Sequence, residues 1–197
     1  NLALLSRRPP LPDKEQEDIL ADMVGESERL IRLVSDLLAL ARAQAGPLLQ
    51  IETVPLSGLI EDVCRQARLL DPERELVCSD LEPEAVLADP SALKQVLLIL
   101  LDNAILHGKG TVRVTVHRNP LDSQISVSVR DEGPGIAPDV LARLFERFYR
   151  GKTAHRKPGL GLGLPIAKAL VEAQNGTLSV KSQKKVGSMF IVSLPAA

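Results

Sequence analysis

Gln124-Ile125-Ser126-Val127-Ser128-Val129-Arg130-Asp131-Glu132-Gly133-Pro134-Gly135-Ile136 is the stretch from which the fold can be read. Ile125, Val127 and Val129 alternate with polar residues, the period of two expected of a strand with one buried face. Gly-Pro-Gly ends it. Just upstream, Val112, Val114 and Val116 alternate in the same way between Thr111 and Arg118, so the two segments predict an antiparallel hairpin.

Outward from that hairpin, helices and strands interleave. Asp89-Pro90 opens a strongly apolar helix that runs to His107, with Pro suited to the first helical turn. Before it, Leu49 to Val54 reads as a strand, Ser57 to Leu70 as an amphipathic helix closed by Asp71-Pro72, and Glu75 to Cys78 and Ala85 to Ala88 as short strands. After it come a short helix near Val140 to Phe145, a basic loop, a glycine-rich turn and a helix to Gln174. Thr177 to Ser182 and Met189 to Leu194 make a second hairpin. The expected class is α+β: a two-layer α/β sandwich with helices on one face of a mixed, mostly antiparallel sheet.

The N-terminal quarter reads differently. Asn1 to Leu5 resembles the tail of an apolar helix cut from something longer, and the prolines of Arg7-Arg8-Pro9-Pro10-Leu11-Pro12 exclude a helix there. From Asp13 to about Ala45, Leu20, Met23, Ser27, Leu30, Val34, Leu37 and Ala41 follow three- and four-residue steps. This heptad seam predicts a long coiled-coil-like helix, widened by Leu33, Leu38 and Leu40 as bundle packing requires. Gly46-Pro47 ends it. Two domains are expected, 1–46 and 47–197.

Of the 197 residues 45% are hydrophobic and 25% charged, and the net charge is −1, a balance that points to neither nucleic acid nor an anionic membrane as partner. With 2% aromatics and no Trp, the core must come from Leu, Val, Ile and Ala. Cys64 and Cys78 fit no metal or redox spacing. Each lies in an apolar segment, so two buried reduced thiols and a cytosolic compartment are expected. No apolar run approaches the roughly 20 residues needed to span a bilayer.

Four features carry chemistry. Asn103, in Leu101-Asp102-Asn103-Ala104 followed by His107, is a carboxamide within an apolar helix. It either satisfies backbone or offers its oxygen to a hard cation such as Mg²⁺. Asp131, at a strand end before Gly133 and Gly135, can accept from an amino group such as that of adenine. Gly159-Leu160-Gly161-Leu162-Gly163-Leu164 opens a helix near Pro165 and exposes successive N–H groups at the positive end of its dipole, an anion site suited to a polyphosphate. Its spacing is neither a dinucleotide fingerprint nor a P-loop. Between the glycine turns, Phe145-Glu146-Arg147-Phe148-Tyr149-Arg150 gathers most of the aromatics. The basic loop Gly151 to Pro158 follows, hinged to close over a phosphate.

In this order the features resemble the catalytic domain of sensor histidine kinases, within the wider superfamily that holds gyrase-type and mismatch-repair ATPases. Leu101 to His107 is similar to the asparagine box, Asp131 to Gly135 to the Asp-x-Gly-x-Gly box, Phe145 to Tyr149 to the phenylalanine box, and Gly159 to Leu164 to the second glycine box. Gly187-Ser188-Met189-Phe190 is similar to the last glycine box, and the heptad helix to the second helix of the dimerisation hairpin. The resemblance implies the histidine-kinase-type ATPase fold, with ATP and Mg²⁺ as cofactors.

It further implies Asp131 on the adenine amino group with Gly133, Gly135 and Ile136 around it, and Phe148 and Tyr149 lining the nucleotide. The backbone of Gly159, Leu160, Gly161, Leu162, Gly163 and Leu164 would cradle the phosphates. Asn103 would ligate Mg²⁺, His107 would lie near the phosphates and Arg150 would meet the γ-phosphate. The implied partners are a response regulator receiver domain and a second copy through the helical hairpin, with no nucleic acid. The implied location is the cytoplasm, with membrane anchoring of the parent left open.

Two positions depart from the family. Ile99 stands where a second Asn is usual and Leu106 where a Lys is usual, weakening Mg²⁺ and phosphate contacts unless Lys109 or the basic loop compensates. No His-Glu-x-x-Arg-Thr-Pro-type box is present, and it would precede Asn1. The alternatives are a dimerising pseudokinase scaffold and an ATPase of this fold without a histidine target.

Overall fold

The computed structural model describes residues 14–20, 22–24, 26–27, 49–79, 84–118, 123–149 and 161–197. The chain divides into two compact units, 1–38 and 39–197. In the first, the described residues are helical, with Leu20 and Val24 exposed. The rest of the heptad seam, and residues 1–13, lie outside the described residues.

The second unit contains β1 (Glu52–Pro55), α1 (Leu56–Leu70), β2 (Leu76–Cys78), β3 (Ala85–Ala88), α2 (Pro90–His107), β4 (Val112–Arg118), β5 (Gln124–Asp131), α3 (Pro138–Leu141), α4 (Gly163–Glu172), β6 (Thr177–Gln183) and β7 (Gly187–Pro195). Five strands form one sheet in the order β2-β4-β5-β7-β6. β2 runs parallel to β4 and the other neighbours are antiparallel. β1 and β3 form a separate antiparallel ribbon, tied to the end of β7 by a bridge from Val86 to Ala196.

The alternation read from the sequence fixes which face is covered. Val114, Val129, Phe190 and Val180 lie in one cross-strand row, and Val116, Val127, Val192 and Leu178 in the next. Of these, all but Val180 are buried, and that one is partly so. α1 buries Leu56, Ile60, Val63, Cys64 and Ala67 in the same core, and α4 buries Ile166, Ala167, Leu170 and Val171. α2 lies among them and is buried at seven positions from Ala92 to Ala104, hence its apolar character nearly all round. Asp89 starts α2: its Oδ1 accepts from Ala92 N at 2.9 Å, and its own N–H donates to Gln174 Oε1 at 2.7 Å. Lys94 of α2 donates to Asp62 of α1, a bond that holds the Asp62 carboxyl below the usual carboxylate range.

The fold class is therefore the expected one, with small shifts of boundary. β1 starts at Glu52 rather than Leu49, α3 gives way to turns after Leu141, and α4 begins at Gly163, two residues before Pro165. The cysteine expectation is corrected: Cys64 and Cys78 are joined as a disulfide. Cys64 faces inward from α1 and β2 runs beneath that helix, so packing brings together two thiols that sequence spacing leaves apart. The expectation of a cytosolic compartment loses its support from reduced thiols.

Candidate functional site

The covered face of β5 ends not in an apolar residue but in Asp131, only 5% exposed. Its row continues through Ser188 and Ser182, whose hydroxyls lie 3.0 Å apart. Asp131 Oδ1 accepts from Gly133 N at 2.7 Å. Burial pushes the Asp131 carboxyl above its ordinary value, opposed by backbone hydrogen bonds at Gly133 and Ser188 and by the charge of Arg74. Glycines make the approach possible. A methyl on Gly108 would come within 2.6 Å of Asp131 Cβ, and one on Gly133 within 2.8 Å of Gly108 Cα. Only hydrogen fits at both positions, leaving a carboxylate on a floor of bare backbone.

Gly108 follows the last residue of α2, with its N–H on Ala104 O at 2.9 Å. Ile99, Asn103 and His107 are spaced four apart and share one side of that helix. At the far end of the stripe Ile99 meets α4, where a methyl on Gly163 would stand 3.3 Å from Ile99 Cγ2. The Asp131 end and the α4 end are thus about 12 Å apart along α2. Asn103 lies midway, half-buried, and its carboxamide bonds to no other described residue. His107 is exposed at the C-terminal end of α2, on the Gly108 side of Asn103.

The second glycine turn enters α4 through Gly161, at φ 70, and the buried Leu162; Gly163 is the first helical residue and Leu164 packs partly against the core. Gly161 O accepts from Phe148 N at 3.0 Å, so the aromatic segment is tied to the turn. Phe148 itself is 70% exposed with φ 62, and the Arg143 guanidinium lies 4.2 Å from the Tyr149 ring centre. On the other side, Ile136 N donates to Ser182 Oγ at 2.8 Å. Gly135, at φ 70, leaves no room for a side chain beneath Gln183 O. Arg150, Gly159, Leu160 and the basic loop lie outside the described residues.

Residues 88–197 match the family described as histidine kinase-, DNA gyrase B-, and HSP90-like ATPase. The chain belongs to that family. Apart from Arg74, the site residues named above fall within this match. Over 181 residues the chain is 39% identical to the probable sensor histidine kinase TcrY of Mycobacterium tuberculosis, covering 89% of this chain and 38% of that protein. It is 35% identical over 192 residues to the signal transduction histidine-protein kinase/phosphatase MprB of Mycolicibacterium paratuberculosis, covering 95% of this chain and 36% of that protein. The chain therefore spans less than two-fifths of the length of these relatives. Among solved structures, full-length ShkA in complex with AMPPNP superposes with a TM-score of 0.79 at 30% identity, over 98% of this chain and 41% of that one. Histidine kinase AdeS of Acinetobacter baumannii gives 0.76 at 26% identity, over 94% of this chain and 86% of that one. The architecture is thus the histidine-kinase-type ATPase fold, and ATP is the nucleotide such a domain takes.

Three parts of the candidate site escape a reading of the sequence. Gly108 carries a local signal, a glycine directly after the asparagine-box helix. Ser182 and Ser188 are legible only once the register is known. Arg74 has no signal at all: from the turn after α1 it donates to Ile105 O at 3.1 Å and to Gly110 O at 3.2 Å, strapping the end of α2 and the loop beside Asp131.

Proposed function

We propose that this chain is the ATP-binding catalytic core of a sensor histidine kinase. ATP lies along the Ile99–His107 side of α2, and its γ-phosphoryl passes to a histidine for relay to the aspartate of a response regulator receiver domain. The observation that carries this reading is the buried Asp131 on its glycine floor at one end of α2, with the first turn of α4 at the other. At the first end, the carboxylate accepts from the adenine amino group while Gly108 and Gly133 let the ring approach. At the second, the N–H groups of Gly163 and Leu164 and the positive end of α4 receive phosphate oxygens.

Phe148 and Tyr149 flank the nucleotide, and Gly159, Leu160 and Arg150 complete the phosphate cradle. Transfer forms a bond from an imidazole nitrogen to the γ-phosphorus as the bond to the β–γ bridging oxygen breaks and ADP leaves. Positioning and charge neutralisation supply most of the acceleration.

The Asn103 carboxamide fits one position of a Mg²⁺ shell. Among the described residues no group of three or more His, Cys, Asp or Glu side chains could hold a metal, so the ion would come with the triphosphate, whose charge it neutralises. Residues 1–46 belong, in this reading, to a dimerisation hairpin that pairs with a second copy, and residues 47–197 to the catalytic domain. The site works in the cytoplasm, where ATP is found. No described helix is long and apolar enough to cross a membrane.

A specific observation supports a second reading, a pseudokinase scaffold. Ile99, where the family has a second Asn, is packed against Gly163 at the phosphate end. Calorimetric titration with ATP, with and without Mg²⁺, separates the two. The kinase reading expects a Kd between about 1 μM and 1 mM, no heat in Asp131→Ala, and no Mg²⁺ dependence in Asn103→Ala. Absence of heat from a folded sample would leave the scaffold.

A further inference from the structure

The open face of the sheet, opposite the helices, carries a line of cations that the nucleotide reading does not use. Arg113 of β4 stands directly across from Arg130 of β5. Arg130 is paired with Met189 of β7, and Met189 with Lys181 of β6. All three cations are exposed, and none bonds to another described residue. Like charges directly opposite one another in a sheet are unfavourable, and the chain as a whole is nearly neutral at −1. The row is therefore a local concentration of positive charge in which no described residue forms an ion pair with any of the three. Lys184 and Lys185 extend it into the exposed β6–β7 turn. A shallow depression of about 300 Å³ has Arg130, Lys181, Val186 and Met189 among the residues that line it.

We propose that this face is a docking surface for an acidic segment of a partner protein. The cations span three inter-strand steps, about 14 Å, too long for one small anion to bridge. A helix bearing carboxylates at i, i+4 and i+8 spreads them over about 12 Å on one side, and an apolar side chain between them fits the depression. The border of the row disfavours a continuous phosphate surface. Glu75 and Glu132 lie one row further along, held by Thr111 through Oγ1 at 2.7 Å and N at 3.4 Å. A membrane or a duplex would press its phosphates against them, whereas discrete carboxylates can avoid them. The rows beyond, with Thr115 Oγ1 to Ser128 Oγ at 2.7 Å and Ser126 Oγ to Ser193 Oγ at 2.8 Å, carry no Lys, Arg, Asp or Glu at their paired positions.

The test is fluorescence anisotropy with a labelled, end-capped alanine-based peptide carrying Glu at i, i+4 and i+8, against its Gln counterpart. The Glu peptide is expected to bind, the Gln peptide to bind at least tenfold more weakly, and added salt to weaken the complex. In the double variant Arg130→Ser/Lys181→Ser, which also relieves the opposition to Arg113, the melting temperature should not fall while the Kd rises at least tenfold. Arg65→Ser, which removes a cation from α1 on the helical side, should leave it within twofold. Equal binding of the two peptides, an unaffected double variant, or an equal loss in Arg65→Ser would overturn the proposal. So would tighter binding of phosphatidylserine vesicles or duplex DNA to the same residues. None of these readouts involves nucleotide, so failure here is distinct from failure of the ATP titration.

Discussion

In the proposed reading Asp131 carries two opposed demands: a carboxylate to be offered to a ligand and a carboxylate kept from water. Its pKa is raised by burial, so the folded chain holds its proton more tightly than the unfolded chain does. The stability this contributes is fully present below the ordinary value of 3.8 and is lost as pH rises through the higher folded value. Asp131→Asn removes that cost, so at pH 7 the apo variant should melt at the same temperature as the parent or above it. Its ATP affinity should nonetheless fall about 10- to 100-fold. Gly133 N holds Oδ1, so the Asn nitrogen would face the adenine amino group, donor against donor. Calorimetry and a melting curve on one sample check both halves. Gly135→Ala should cost about 2 kcal/mol or more, read by urea denaturation, because its φ is positive and a methyl would press on Gln183 O. Asp131 was legible in the sequence because strand alternation and Gly-x-Gly mark it locally. Arg74 was not, because its bonds reach 31 and 36 residues along the chain.

At the scale of elements, legibility follows how local the signals are. Both observed ends of α2 are legible, because an N-cap, a proline at N1 and a glycine after the last turn stand in the sequence itself. The β4–β5 hairpin followed from alternation alone. The pairing of Cys64 with Cys78 could not, since it depends on how α1 lies over β2. Nor could the direct opposition of Arg113 and Arg130, which needs the register. Arg113→Thr relieves that opposition and adds a β-branched residue to a strand. It should raise stability by about 0.2–1 kcal/mol, seen as a higher urea midpoint with an unchanged slope. A lower midpoint would mean that the two guanidinium groups are not in conflict.

For the second unit as a whole, one aromatic side chain holds much of the core. Phe190 is 1% exposed, in the row with Val129 and Val180. Phe190→Ala should cost about 3–5 kcal/mol, a loss that ATP can partly offset. Nucleotide at 100 times its Kd stabilises the folded state by about 2.7 kcal/mol, so the variant's melting temperature should rise with ATP concentration. An unfolded variant that ATP does not rescue would argue against a nucleotide site. The interlock around residue 187 has a consequence of another kind. A methyl there would meet Asp131 O at 2.0 Å, one on Gly135 would meet Gln183 O at 2.1 Å, and Lys185 N bonds to Pro134 O at 2.8 Å. Two segments some fifty residues apart thus form one mechanical piece. In a shuffled library of related chains, crossovers between them would separate co-adapted halves. Functional recombinants should inherit 131–135 and 183–187 from a single parent.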